Sequence, residues 1–168
     1  MLRVIFDTNI YGRLVKEADV ALLIERITAE SEFLVYGFDL VRREIRNIPT
    51  STHSARKSRI LLLNIYDRIT RKHQCFRDSK IEELAKKYHA CYKQLGGTYA
   101  WDTNIHIDFE IVACASIHGM DIVYSDDQKT LASKKSVQAY NEVNHRENFR
   151  SPTLFDYEAL LKKFRGNL

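Results

Sequence analysis

The stretch Leu2-Arg3-Val4-Ile5-Phe6, followed at once by Asp7, indicates the architecture of this 168-residue chain. The run is short and apolar, with β-branched and aromatic residues, which predicts a strand buried on both faces of a parallel sheet. The next residues, Asp7-Thr8-Asn9, favour the start of a helix. Asp7 is therefore expected at the carboxyl end of a central strand, where open α/β sheets bind ligands, although an isolated Asp there equally serves as a helix cap.

The composition predicts one globular domain over residues 1–168, since 45% of the residues are hydrophobic and 29% are charged. No apolar run approaches the roughly 18 residues of a membrane span, and no signal-peptide layout is present, so a cytoplasmic protein without membrane association is expected. Three cysteines without CxxC spacing argue against a disulfide framework or a zinc site. The net charge of +4 permits a nucleic-acid partner without requiring one.

Strand and helix patterns alternate along the whole chain. Strands are predicted over 2–6, 33–36, 74–76, 121–125 and 153–155. Helices are predicted over 10–26 (one or two), 38–48, 54–70, 78–95, 105–118, 130–148 (with a break near Ser133–Lys135) and 157–164. Such alternation is typical of βαβ units, and it predicts a three-layer α/β/α fold around a mainly parallel sheet. The helices of segment 54–95 are expected as a pair inserted in, or packed on, this domain.

Glu44 lies in the middle of an apolar helix face. Four apolar residues share that face at helical spacing: Leu40, Val41, Ile45 and Ile48. A carboxylate that faces the sheet costs several kcal/mol unless it is paired or binds a metal. Pairing with Arg43 or Arg46, or a position at the edge of the face, is the structural alternative.

Two further positions repeat this anomaly. Asp108 opens a helix that is apolar nearly all round, although an acid in a first turn is also favoured by the helix dipole. Asp126 and Asp127 follow directly on the buried strand that ends at Ser125. Acids at two strand ends and on two helices are therefore expected to converge on one crevice.

Four carboxylates crowded in this way repel one another, which raises their pKa values or drives them apart. A hard divalent cation resolves the conflict, because Mg²⁺ and Mn²⁺ prefer carboxylate and water oxygens. An all-carboxylate site of this kind most naturally serves phosphate chemistry. The sequence therefore predicts a Mg²⁺ or Mn²⁺ centre.

The acidic stretches resemble the four motifs of PIN-domain proteins, in the same order and with similar spacing. They are Phe6-Asp7-Thr8-Asn9, Val41-Arg42-Arg43-Glu44-Ile45, Asp108-Phe109-Glu110-Ile111-Val112-Ala113-Cys114-Ala115 and Ile122-Val123-Tyr124-Ser125-Asp126-Asp127. The resemblance spans nearly the whole chain. It implies a Rossmann-like fold with a five-stranded parallel sheet and a metal-dependent endoribonuclease, in many members the toxin of a toxin–antitoxin pair.

The resemblance also implies roles for individual residues. Asp7, Asp108 and Asp127 would hold the metal directly or through water, and Glu44 would hold a water on that metal or a second ion. Asp126 is an additional candidate ligand, since the sequence leaves open which of the two neighbouring acids points inward. Three polar residues would orient the carboxylates: Thr8, Asn9 and Ser125. The expected products carry a 5′-phosphate and a 3′-hydroxyl.

Basic and aromatic residues near the motifs suggest RNA contacts. Arg42, Arg43 and Arg46 flank Glu44 and are candidate RNA-binding residues, with a solvated helix face as the alternative. Tyr11, Tyr99 and Trp101 are candidates for base stacking, with a core role as the alternative. The resemblance further implies an RNA substrate, an antitoxin protein and a homodimer as partners.

Other functions fit the pattern less well. The main alternative is a catalytically silent PIN-fold module that binds RNA or a protein partner, although the set of four acids argues against it. A nucleotide-binding Rossmann protein would need a glycine-rich phosphate turn, and the sequence has neither GxGxxG nor GxxxxGK[ST]. A receiver-like domain would need an acceptor Asp in mid-chain and a Lys at a later strand end, whereas Lys129 is displaced from its strand.

Overall fold

A computed structural model describes residues 1–166, and the strands of this part of the chain form one five-stranded sheet. The strands are β1 (Leu2–Phe6), β2 (Phe33–Phe38), β3 (Gln74–Cys75), β4 (Ile122–Tyr124) and β5 (Thr153–Phe155). Their order is β3-β2-β1-β4-β5, and every neighbouring pair is parallel. The predicted α/β fold with a parallel sheet is confirmed.

The direction in which successive strands are added to the sheet reverses between β1 and β4. From β1 the chain runs outward through β2 to β3, then returns to β4 on the other side of β1 and continues to β5. Such a switch point opens a crevice at the carboxyl ends of the two central strands. The pairing of Phe6 with Tyr124 makes these strands end level, so the residues that follow them, Asp7 and Ser125, meet at the crevice.

Helices cover both faces of the sheet. Within residues 1–166 they are α1 (Thr8–Leu14), α2 (Val20–Ala29), α3 (Asp39–Asn47), α4 (His53–Thr70), α5 (Ser79–Gln94), α6 (Ile105–Ile117), α7 (Lys134–Glu147) and α8 (Tyr157–Arg165). One layer contains α1 to α4, with α8 packed on α2, and the other contains α5, α6 and α7. The helices expected over 54–95 are thus packed on the domain in different layers, and β3 between them is the edge strand of the sheet.

The seventh helix begins at Lys134, at the break that the sequence pattern predicts near Ser133–Lys135. Residues 130–132, which were expected to be helical before the break, form a turn instead. The Asp127 side chain accepts hydrogen bonds from the backbone N–H groups of Lys129 and Thr130, at 2.8 and 2.9 Å, and holds a turn there. Ser133 then caps the helix through the backbone N–H of Ser136. The prediction was wrong only for residues 130–132, where a local side-chain bond competes with helical pairing.

The central helix of the second layer is buried nearly all round, as its composition predicts. Residues 109–116 of α6 are all buried, between the sheet and the helices α5 and α7. This burial fixes the position of Asp108 in the first turn of α6. Among residues 1–166, no helix combines the length and apolar character needed to cross a membrane.

Candidate metal centre

Asp7 is held at the carboxyl end of β1 by three donors. The Ser125 hydroxyl donates to its Oδ2 at 2.6 Å, and the backbone N–H of Thr8 donates to its Oδ1 at 2.6 Å. The Asn9 amide also donates to Oδ2. Asp7 is 5% exposed and is the N-cap of α1, so this residue combines the capping role with a place in the crevice.

Glu44 reaches the same crevice from α3. Its carboxylate accepts a hydrogen bond of 2.5 Å from the Thr8 hydroxyl, which links α3 to the start of α1. The Glu44 side chain is half-buried. Within residues 1–166 it forms no ion pair with Arg43 or Arg46, which was the structural alternative to a functional role. The burial of Leu40, Val41 and Ile45 aims this face of the helix inward, as predicted.

Asp108 and Asp127 complete the cluster and share a single hydroxyl group. The Thr130 Oγ1 lies 2.5 Å from the Asp108 Oδ2 and is also within hydrogen-bonding distance of the Asp127 Oδ2. One hydroxyl hydrogen can donate to only one of these two carboxylates at a time. The two carboxylates therefore compete for one hydroxyl donor.

Two of the four acids, Asp7 and Asp108, have raised pKa values because they are buried beside other acids. Burial raises the pKa of Asp108 to about 8, with further repulsion from Asp7, Asp127 and Glu44, while the Thr130 hydrogen bond opposes the shift. Burial likewise raises the pKa of Asp7 to about 6, and repulsion from Glu44 and Asp127 adds to the effect against the Ser125 and Thr8 hydrogen bonds. Within residues 1–166, none of the four acids forms an ion pair. The cluster therefore lacks a positive charge of its own.

The four acids line an open cleft of about 450 Å³. Its other lining residues are Thr8, Asn9, Tyr99, Thr103, Asn104, Ile105 and Thr130. Tyr99, which is 40% exposed, comes from the segment between α5 and α6 and forms part of the wall. Tyr11, in contrast, is fully buried and packs against Phe6 and Tyr66, so it is a core residue.

Sequence reasoning missed Thr130, Thr103 and Asn104. The spacing Asp127-Gln128-Lys129-Thr130 is the signal for the first of them, because an Asp three residues before a Thr favours a side-chain turn. Nothing in the sequence marks Thr103 or Asn104, since their place in the cleft depends on the path of an irregular segment.

Asp126 does not join the cluster. Its Oδ2 lies 3.2 Å from a guanidinium nitrogen of Arg13, and its Oδ1 accepts a hydrogen bond of 2.8 Å from the backbone N–H of Tyr157. Its own backbone N–H donates to the Asn9 side chain. Asp126 thus ties β4 to α1 and α8, and Asp127 is the acid of this pair that faces the cleft.

The three arginines beside Glu44 differ in their pairing. Arg42 donates two hydrogen bonds to Asp67, at 2.9 and 3.0 Å, and Arg43 forms an ion pair with Asp39 at 2.5 Å. Arg46 is exposed and carries no such pair within residues 1–166. Arg46 therefore offers the less neutralised positive charge on this helix.

The acids and threonines of the cleft offer carboxylate and hydroxyl oxygens. Mg²⁺ and Mn²⁺ prefer oxygen ligands, whereas softer metals prefer nitrogen and sulfur. Each of the four carboxylates also has a hydrogen-bond donor that fixes its orientation. An oriented cluster with surplus negative charge in an open cleft suits a divalent cation that also contacts a phosphate ligand.

Comparison with known proteins gives one informative likeness. No protein family matches the chain, and neither does any curated protein. Among solved structures, a chain of FitAB bound to an IR36 DNA fragment superposes with a TM-score of 0.54. The likeness covers 92% of this chain and 94% of that chain, at 14% sequence identity. Such a distant likeness shows the fold alone, and this chain has a three-layer, PIN-like α/β/α fold.

Proposed function

We propose that this protein is a Mg²⁺- or Mn²⁺-dependent endoribonuclease of the PIN type. The observation that carries the proposal is the convergence of Asp7, Glu44, Asp108 and Asp127 at the switch point of the sheet, with no cationic side chain of residues 1–166 to neutralise them. Buried acids that repel one another lower the stability of a fold, so a fold that positions them with dedicated hydrogen bonds favours a ligand cation.

In this proposal Asp7, Asp108 and Asp127 hold the cation and Glu44 holds a water at the rim. Ser125 and Asn9 keep the Asp7 carboxylate in one orientation, and Thr8 does the same for Glu44. Thr130 spans Asp108 and Asp127 and sets the separation of their oxygens. A bound divalent cation would supply Lewis-acid chemistry, activating a water and stabilising charge on the leaving oxygen.

The wall of the cleft would position the substrate. Tyr99 offers an exposed ring face at the edge of the acid cluster, and stacking of a base on an aromatic ring contributes about 1–3 kcal/mol. Arg46, two residues after Glu44 on α3, offers a positive charge to the phosphate backbone. The choice of RNA as the substrate rests on the resemblance to PIN-domain proteins.

A protein partner is part of the same proposal. FitAB is bound to DNA in the structure that resembles this chain, and the PIN resemblance implies an antitoxin. An open groove between α1 and α4, lined by Gly12, Val15, Leu61 and Leu62, offers apolar surface to such a partner. Ile60 and Leu61 are 52% and 45% exposed on α4, which favours coverage by another chain.

The test is cleavage of a panel of end-labelled single-stranded and structured RNAs, with matched DNAs, by the purified full chain. Reactions contain Mg²⁺, Mn²⁺ or a chelator. We expect metal-dependent cleavage that leaves a 5′-phosphate and a 3′-hydroxyl and that Asp7→Asn abolishes. Asp126→Asn is the matched control, because Asp126 neighbours the site but pairs with Arg13, and it should retain cleavage.

Two results would overturn the assignment. Cleavage that persists in the chelator or in Asp7→Asn would come from another site or a contaminant. Absence of cleavage together with absence of metal binding would leave the silent module that binds RNA or a protein partner.

A further inference from the structure

A second group of metal-ligating side chains lies outside the acid cleft. The Sγ atoms of Cys75 and Cys114 and a ring nitrogen of His118 all lie within 4.8 Å of one another. Cys75 and Cys114 are 7% and 0% exposed, whereas His118 is exposed. None of the three lines the cleft that contains Asp7 and Asp108.

Two elements that are distant in the sequence bring these ligands together. Cys114 and His118 are four residues apart at the C-terminal end of α6, so their side chains lie on one side of the helix. Cys75 is the last residue of β3 and pairs with Phe38 of β2. The cysteine spacing along the chain argued against a zinc site, because it does not show that a strand and a helix bring these ligands together.

The chemistry of the three side chains selects a borderline-soft cation. Thiolates and imidazoles are the ligands of Zn²⁺, whereas Mg²⁺ and Mn²⁺ prefer oxygen. Zinc binds sulfur at about 2.3 Å and nitrogen at about 2.0–2.1 Å, which places tetrahedral ligand atoms roughly 3.3–3.8 Å apart. The separations in the structure exceed this range by about 1 Å at most, a shift within reach of side-chain rotation.

The position of the group indicates what a bound ion would do. The edge strand β3 has only two residues, and its only strand partner in the described sheet is β2. Cys75 is on this strand, and the other two ligands are on the helix that carries Asp108 in its first turn. An ion here would cross-link the weakest strand of the sheet to its most buried helix.

We propose that Cys75, Cys114 and His118 bind one Zn²⁺ ion that fastens β3 to the C-terminal end of α6. Both thiols release their protons when the ion binds. The exposed His118 gives the ion an entry path, and three protein ligands leave the fourth coordination position to a water. This zinc site is independent of the proposed nuclease activity, and its test does not use cleavage.

The test is a titration of the full chain, stripped with a chelator and kept under a phosphine reductant, with Zn²⁺ in competition with a chromophoric chelator. We expect one equivalent to bind, and Co²⁺ in its place to give the thiolate charge-transfer and intense visible bands of a tetrahedral site. Cys114→Ala and His118→Ala should each weaken binding by at least about 10-fold. Because His118 is exposed, its variant should fold normally.

Cys91→Ala is the matched control, since Cys91 is a buried thiol outside the group. It should keep both the stoichiometry and the Co²⁺ spectrum, and so should Asp7→Asn. The proposal is overturned if the wild type binds no Zn²⁺, if Cys114→Ala and His118→Ala bind as tightly as wild type, or if the Co²⁺ complex lacks thiolate bands. A disulfide between Cys75 and Cys114 that persists under the reductant would also overturn it.

Discussion

Two acids on the same helix differ in what surrounds them: one pairs with an arginine, and the other belongs to the proposed cation site. Glu110 of α6 is fully buried and is paired with Arg77, whose Nε and Nη2 lie 2.5 and 3.1 Å from its two oxygens. Asp108, two residues earlier, points to the other side of the helix and meets three further acids. The sequence places both acids in the same apolar helix. They differ only in the residues that surround them in the fold.

The comparison shows which observation identifies the site. Burial alone does not, because Glu110 is the more deeply buried of the two. A pairing cation compensates the cost of burying Glu110, whereas the pKa of Asp108 rises to about 8 because its neighbours are also acids. The proposed cation site rests on this difference, a carboxylate held by a hydrogen bond among other carboxylates.

The largest effect is expected on catalysis. Asp108→Asn should lower metal-dependent RNA cleavage by at least about 100- to 1,000-fold, since it removes one charge from the proposed cation site. Glu110→Gln should leave the rate within about threefold of wild type at a temperature where both proteins are folded. Initial rates on one RNA from the panel measure both. Equal losses of cleavage rate in the two variants would show that Asp108 has no special role in catalysis.

Stability should respond in the opposite order. Glu110→Gln should lower the free energy of unfolding by about 2 kcal/mol, because it breaks the pair with Arg77, whose partly exposed guanidinium keeps its ion pair with Glu82 at 3.0 Å. Urea denaturation followed by circular dichroism measures this change. The double variant Glu110→Leu and Arg77→Met should recover much of the loss, since it removes both charges together. A loss below about 1 kcal/mol in Glu110→Gln would show that the pair is not structural.

The Thr130 hydroxyl, which lies between Asp108 and Asp127, allows a third test of the proposed cation site. Thr130→Val should weaken Mn²⁺ binding by about 10- to 100-fold, because it removes the hydroxyl that lies between the Asp108 and Asp127 carboxylates. Thr103→Val is the control: Thr103 also lines the cleft, but its hydroxyl bonds to the Ala100 carbonyl. Calorimetric titration of both variants decides the matter. Similar Mn²⁺ affinities of the two variants would show that the Thr130 hydroxyl does not contribute to metal binding.

The smallest effect concerns pH. The folded-state pKa of Asp108, about 8, and that of Asp7, about 6, lie above the usual value of 3.8. Between pH 4 and 8 the folded state therefore binds more protons than the unfolded state, and its stability falls as the pH rises. From pH 6 to 8 we expect the metal-free protein to lose about 1–2 kcal/mol.

Asp108→Asn provides the control for this pH dependence. It should flatten the profile and stabilise the metal-free protein at pH 8, while saturating Mn²⁺ should flatten the profile of the wild type. Urea denaturation at each pH provides the measurement. A metal-free wild type that becomes more stable from pH 6 to 8 would contradict the assigned repulsion.

The sequence predicted most of the architecture because the decisive signals are local. Apolar runs such as the one that ends at Phe6 predict buried parallel strands, and their alternation with helices predicts the layers. Convergence of the acids on one cleft followed from parallel strands whose ends share an edge. These inferences need only periodicity and topology.

Other features depend on contacts between distant residues, and the sequence did not indicate them. The direction of Asp126 depends on Arg13 and Tyr157. The pairing of Glu110 with Arg77 joins residues 33 positions apart. The group of Cys75, Cys114 and His118 likewise requires the fold to bring a strand and a helix together.

The most direct test of the account is a calorimetric titration of the chelator-treated protein with Mn²⁺ at pH 7, in two buffers that differ in ionisation enthalpy. We predict binding that releases protons, because the pKa of Asp108 lies above the pH of the experiment, and loss of that binding in Asp7→Asn. Absence of binding in the wild type, or equal binding in Asp7→Asn, would contradict the claim that these four acids form a cation site.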